Sequence, residues 1–153
     1  RMTPPSAADF YDIGQDANIM NAETRRLLEI FGEINRIPRC SKNEDAIARW
    51  FEAWARAKNF SSRRDRAGNL LITVPATPGA ETAPAVVIQG HLDMVCEKTP
   101  ASTHDFARDP IRIIHDGDWI HADKTTLGAD NGVALILGLA LAEDQRLTRP
   151  LPR

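Results

Sequence analysis

The segment at residues 85–91, Ala-Val-Val-Ile-Gln-Gly-His, most constrains how this chain can fold. An apolar run without polar alternation reads as a strand covered on both faces. Downstream, Val133, Leu135, Ile136, Leu137, Leu139 and Leu141 surround most of a helix opened by Asp130 or Asn131 and running to about Glu143. A helix that is apolar nearly all round is expected to be buried. Together they imply an α/β fold, a partial sheet flanked by helices, with fewer strands than a finished sheet of that kind needs.

The remaining segments fit that order. Residues 1–20, with Pro4 and Pro5, read as a loose N-terminal arm. Asn21 can cap a helix to about Arg36 whose apolar positions Leu27, Ile30, Phe31 and Ile34 share one face. Ile37-Pro38-Arg39 breaks it, and Ser41-x-x-Glu44 forms a capping box for a second helix with Ile47, Trp50, Phe51 and Trp54 on its core side. Residues 62–66 and 69–74, around Ala67-Gly68, suggest a hairpin, and 111–115 with 118–121, around Gly117, suggest another. Residues 75–84 and 94–110 read as loops. Gly138, inside the apolar helix, suggests either close backbone packing or a tolerated cost of about 1 kcal/mol.

Composition narrows the function classes. A formal net charge of −2 gives no electrostatic reason to expect nucleic acid or an anionic membrane as partner. No apolar run approaches the roughly 20 residues that span a bilayer. The absence of a short apolar N-terminal core leads to an expected cytoplasmic location. Cys40 and Cys96 do not make a disulfide framework; Cys96 is expected as a reduced thiol near the end of the buried strand, with metal ligation the lesser alternative. The chain starts at Arg1 and ends at Arg153 soon after an apolar helix, which leads us to expect a piece of something longer.

Chemistry concentrates at three side chains. His91 and Asp93 are two residues apart at the end of the expected strand, so both can serve one site. Strand carboxyl ends are where open α/β sheets place ligands. Neutral imidazole is a common metal ligand, and Asp93 can accept the hydrogen bond of the ring nitrogen that faces away from the metal. Asp130, between Gly128-Ala129 and Asn131-Gly132, either caps its helix or uses two carboxylate oxygens to bridge two cations. His104, His115 and His121 are weaker candidates, and Lys124-Thr125-Thr126 lacks the glycine spacing of a phosphate loop. One imidazole and carboxylates suit zinc, manganese or cobalt.

The sequences Gln89-Gly90-His91-Leu92-Asp93-Met94-Val95, His104-Asp105-Phe106, Asp109-Pro110-Ile111 and Thr125-Thr126-Leu127-Gly128-Ala129-Asp130-Asn131-Gly132 together resemble the aminoacyl-histidine dipeptidases. That family is also known as peptidase D or cytosol non-specific dipeptidase, and belongs to the dizinc metallopeptidases. Ile37-Pro38-Arg39-Cys40-Ser41-Lys42-Asn43-Glu44 and Asp65-Arg66-Ala67-Gly68-Asn69-Leu70-Leu71-Ile72 extend the likeness, which covers residues 22 to about 151.

The resemblance implies that residues 21–153 are the N-terminal portion of a catalytic domain, without its lid domain. It implies two zinc ions in the complete enzyme, with His91 binding one, Asp93 orienting His91 and Asp130 bridging both. It implies a cis peptide after Asp130, a dipeptide substrate and a possible homodimer. A Glu-Glu pair, general base and ligand, is expected soon after the apolar helix and is not in this sequence. Glu143 and Asp144 lie roughly 20 Å along the helix from Asp130 and cannot replace it. The expected function is a metal-dependent dipeptidase hydrolysing Xaa-His and other dipeptides, here a truncated piece inactive alone. The alternatives are a non-catalytic metal-binding or subunit-pairing remnant, and a related tripeptidase or amidohydrolase.

Overall fold

The computed structural model describes residues 21–144, so the expected arm at residues 1–20 lies outside the described residues. Helix α1, Ala22–Asn35, begins where the Asn21 side chain accepts a 2.7 Å hydrogen bond from the Thr24 amide. That bond satisfies one of the amides a helix start leaves open. Helix α2, Asp45–Ala57, follows a short connection. Strands β1, Ser61–Arg64, and β2, Leu70–Thr73, pair antiparallel with Ser61 opposite Thr73. Asp65 closes their turn by accepting from the amides of Ala67 and Asn69, each at 2.9 Å. Strands β3, Ile113–Asp116, and β4, Trp119–Ala122, form a second antiparallel pair around Gly117. Helix α3, Ala129–Glu143, ends the described chain. Both hairpins fall within a residue or two of their expected positions.

The core confirms the helix stripes. Ile30, Phe31 and Ile34 of α1 meet Ile47 and Phe51 of α2, Ile113 of β3, and Ile136 and Leu139 of α3. Leu27, Trp50 and Trp54 pack partly buried against this cluster. Burying each large aliphatic side chain contributes on the order of 1.5–3 kcal/mol. Where the helix ends meet, Glu143 accepts from Arg26 at 2.7 Å and from the Trp54 indole at 2.8 Å, and it pairs with Lys58 at 3.2 Å. Trp54 therefore has a partner for its polar edge as well as core packing for its ring. No helix among the described residues is long and apolar enough to cross a membrane.

Four expectations are corrected. Residues 85–91 are not a buried strand; they join no ladder among the described residues, and Val86 and Val87 are 60% and 79% exposed. An apolar run forms a sheet only beside other strands, and each described strand is already paired within its own hairpin. Helix α3 is likewise not buried all round, since Val133, Leu137 and Leu141 form an exposed face. The cysteines are not free thiols: Cys40 and Cys96 are joined by a disulfide with a Cα–Cα separation of 5.6 Å. A parallel bridge between Cys40 and Met94, with the Met94 amide donating to the Arg39 carbonyl at 2.9 Å, lays the two segments side by side. The capping box does not form either. Helix α2 has no side-chain cap, Glu44 accepts from the Lys42 amide, and the Ser41 hydroxyl turns to Asp93. The sheet itself is thus two small antiparallel pairs flanked by helices rather than one layer. Gly138 has only ordinary contact nearby, with a Cβ there lying 3.6 Å from Ile88.

Candidate metal centre

Three chain segments meet at one place. The first is the connection between α1 and α2, carrying Arg39, Cys40 and Ser41. The second is the segment with His91, Leu92 and Asp93. The third is the start of α3. Arg39 ties them together from inside. Its Nη1 donates to the carbonyls of Leu92 at 3.2 Å and Asp93 at 3.4 Å, and its Nη2 donates to Gly128 O at 2.8 Å and Asn35 Oδ1 at 3.2 Å. Burial lowers the Arg39 pKa to about 10, partly opposed by the negative charge of Asp93, and the guanidinium stays protonated at neutral pH.

The start of α3 is built around small residues. Gly128 has φ +72°, and a Cβ there would lie 2.5 Å from Arg39 Nη2 and 2.9 Å from Met94 Sδ. At Gly132 a Cβ would lie 2.9 Å from the Phe31 ring. These contacts bring the α3 backbone against Arg39 and α1. Regular helix geometry is interrupted at Asp130 and Asn131, and the peptide between them is cis, as the resemblance implied. Asp130 does not cap the helix; the N-cap position is Gly128, which has no side chain to do so. The Asp130 side chain is 94% exposed and its Oδ1 lies 3.2 Å from His91 Nε2.

His91 is held at both ring nitrogens. Nδ1 lies 3.0 Å from Asp93 Oδ1 and 3.0 Å from the Asp93 carbonyl oxygen, while Nε2 faces Asp130. The other Asp93 oxygen accepts from the Ser41 hydroxyl at 2.5 Å. That hydrogen bond is the leading reason the Asp93 carboxyl stays below its usual pKa, with His91 adding to it. Burial pulls the His91 pKa down, but the hydrogen bond to Asp130 and the proximity of Asp93 outweigh it, so the net shift is upward.

A neutral imidazole has one N–H and one lone pair. With Nδ1–H given to Asp93, Nε2 presents a lone pair toward a carboxylate oxygen. Two species relieve that opposition: an imidazolium, or a cation between Nε2 and Asp130. Ligand atoms at zinc distances in a tetrahedral shell lie about 3.3 Å apart, close to the 3.2 Å found here. The donor types and their spacing therefore fit part of a zinc shell. The described residues contain no group of three or more His, Cys, Asp or Glu side chains able to hold a metal ion, so the pair supplies two donors of the four a zinc centre uses.

The structure thus brings together all three of the expected residues, His91, Asp93 and Asp130. The weaker candidates lie elsewhere. His104 stacks edge-on against Phe106 with ring centroids 4.5 Å apart, and His115 and His121 lie on β3 and β4. Cys96 is withdrawn from ligation by its disulfide. Arg39 and Ser41 were missed as site residues. Ser41 carried a competing signal, the capping box, and nothing in the sequence distinguishes Arg39 from a solvent-facing arginine.

The fold is that of a partial peptidase-type α/β domain. The chain is 45% identical over 121 residues to the cytosol non-specific dipeptidase of Escherichia coli K12, covering 79% of this chain and 25% of that protein. The aminoacylhistidine dipeptidase structure from Vibrio alginolyticus superimposes with a TM-score of 0.76 at 40% identity, covering 84% of this chain and 27% of that one. A tripeptidase structure from Staphylococcus aureus, at TM-score 0.62 and 24% identity, covers 78% of this chain and 31% of its own, and shows the fold alone. No family model matches the chain. The chain is homologous to dipeptidases over most of its length, and spans 25% of the curated relative it matches.

Proposed function

We propose that this chain carries the N-terminal share of the active centre of a metal-dependent dipeptidase, one that cleaves Xaa-His and other dipeptides. The observation that carries this reading is the 3.2 Å approach of His91 Nε2 to Asp130 Oδ1, with Nδ1 held by Asp93. Homology to dipeptidases supplies the reaction class.

In this reading His91 and Asp130 would hold zinc, and Asp93 positions the imidazole. Manganese and cobalt suit the same donors. Such ions, when bound, polarise a peptide carbonyl and make a bound water a nucleophile at neutral pH. The chain's own residues do the preparatory work. Asp93 keeps the proton of His91 on Nδ1, leaving the Nε2 lone pair to face a cation. The exposed Asp130 keeps a carboxylate open to solvent beside it. Proton transfer to the leaving amine needs a further acid–base group. Glu143 does not serve: it is committed to Arg26, Trp54 and Lys58. The 153 residues by themselves are accordingly proposed to be inactive, with turnover and any homodimer belonging to a longer protein.

Zinc titration by calorimetry, with a parallel assay of dipeptide hydrolysis, tests the proposal. Zinc binding that is lost in His91→Ala and in Asp130→Ala, without turnover, is the expected result. Equal zinc binding by all three proteins rules the assignment out.

A further inference from the structure

We infer that Ser41 is a positioning residue of the His91–Asp130 pair, acting through Asp93 without touching a bound ion. This rests on the metal-centre reading and extends it to a residue outside the donor set.

The Asp93 carboxylate has two oxygens, and only Oδ1 is within 3.0 Å of the imidazole. Held by that contact alone, the group can rotate about its Cβ–Cγ bond, a broad torsion for aspartate. Rotation would misalign that acceptor and leave Nδ1 with the Asp93 carbonyl oxygen, also 3.0 Å away, as its one remaining partner. The Ser41 hydroxyl, 2.5 Å from Oδ2, takes hold of the second oxygen and fixes the carboxylate plane. Ser41 is itself anchored. Its neighbour Cys40 is bonded to Cys96 and bridged to Met94, and Arg39 grips the carbonyls of Leu92 and Asp93. The hydroxyl is therefore delivered from a covalently fastened backbone to the carboxylate that faces Nδ1 of the imidazole.

The local sequence strengthens the point. Ser41 stands three residues ahead of Glu44, where a capping role is ordinary. Yet α2 begins with no side-chain cap, and the hydroxyl spans 52 residues to reach Asp93 instead. The consequence is a defined tautomer: the proton on Nδ1, toward Asp93, and a lone pair on Nε2, toward Asp130. That is the form able to accept a cation.

The test combines zinc calorimetry with nitrogen chemical shifts of the His91 ring in the 15N-labelled full chain, recorded without metal at a pH where the ring is neutral. Ser41→Ala is expected to bind zinc at least about tenfold more weakly and to show a mixture of His91 tautomers, while Ser41→Thr restores both. Ser41→Val, nearly isosteric with Ser41→Thr, is a second hydroxyl-free variant, so the comparison does not depend on one protein folding. Unchanged ring shifts in the folded hydroxyl-free variants overturn the inference, whatever the metal does. If the wild type takes up no zinc but the tautomer still shifts, the metal reading fails and the positioning role stands. If zinc binding depends on His91 and Asp130 but neither affinity nor tautomer depends on the hydroxyl, the reverse holds.

Discussion

Cys40 and Cys96 are joined across 56 residues of sequence, and the bond fastens the connection after α1 to the segment just beyond Asp93. A crosslink acts largely by limiting the unfolded chain, and a loop of this length corresponds to a stabilisation of about 4 kcal/mol in the chain-entropy account. Urea unfolding with and without a thiol reductant, and of Cys40→Ser, is expected to show a loss of that order. Identical midpoints in all three would show that the bond contributes no net stability.

Glu143 links α3 to Arg26 of α1 and to Trp54 and Lys58 at the end of α2. Burial raises its pKa, but the hydrogen bonds from Arg26, Trp54 and Lys58 prevail and hold it below the ordinary 4.5. A depressed folded-state pKa means the unfolded chain binds the proton more readily. The stabilisation is therefore fully present above the unfolded value and is lost as pH falls through the folded one. Thermal unfolding followed from pH 7 to pH 3 is expected to show a steeper acid decline for wild type than for Glu143→Gln. Parallel curves would remove Glu143 from the acid response.

The close approach at Gly128 separates two costs. Gly128 and Gly117 both have positive φ, but a Cβ at Gly117 meets nothing within 4 Å, whereas one at Gly128 meets Arg39 and Met94. Gly117→Ala should lose only the backbone term, on the order of 1 kcal/mol. Gly128→Ala should lose more, because Arg39 must leave the carbonyls it bonds. Chemical denaturation of the two variants provides the comparison, and equal losses would mean Arg39 shifts freely.

Packing predicts opposite outcomes for two aliphatic sites. Ile47 is fully buried in the central cluster, and Ile47→Ala should destabilise by about 2–5 kcal/mol. Val87 is largely exposed, and Val87→Ser should change stability by no more than about 0.5 kcal/mol. A loss at Val87 comparable with that at Ile47 would show that the 85–91 segment is covered in solution.

Much of this arrangement was readable in advance where local rules suffice. The stripes of α1 and α2 mark their buried faces because a helix repeats its neighbours every three to four residues. The turns at Ala67-Gly68 and Gly117 mark the hairpins because few residue types suit them. His91 and Asp93 were legible as a pair, although the strand expected to align them does not form among the described residues, and Asp130 was legible from its small neighbours. The rest depends on what lies across space. Val86 and Val87 announce an apolar strand, but a sequence pattern does not say whether another strand stands beside it. Cys40 and Cys96 are adjacent only because the Arg39–Met94 contact aligns their segments. Ser41 could satisfy a nearby helix amide or a distant carboxylate, and short-range rules favour the wrong one.

The Arg39 contacts carry a consequence for the order of assembly. They join residues separated by 53, 54 and 89 positions, so no isolated hairpin or helix contains them. In the reduced chain, before the Cys40–Cys96 bond forms, closing loops of that size early is entropically uphill. The imidazole and the aspartate it faces should consequently come into register late, after the helices have docked. A spectroscopic label on either would report completion of the whole fold rather than the fraying of a single element.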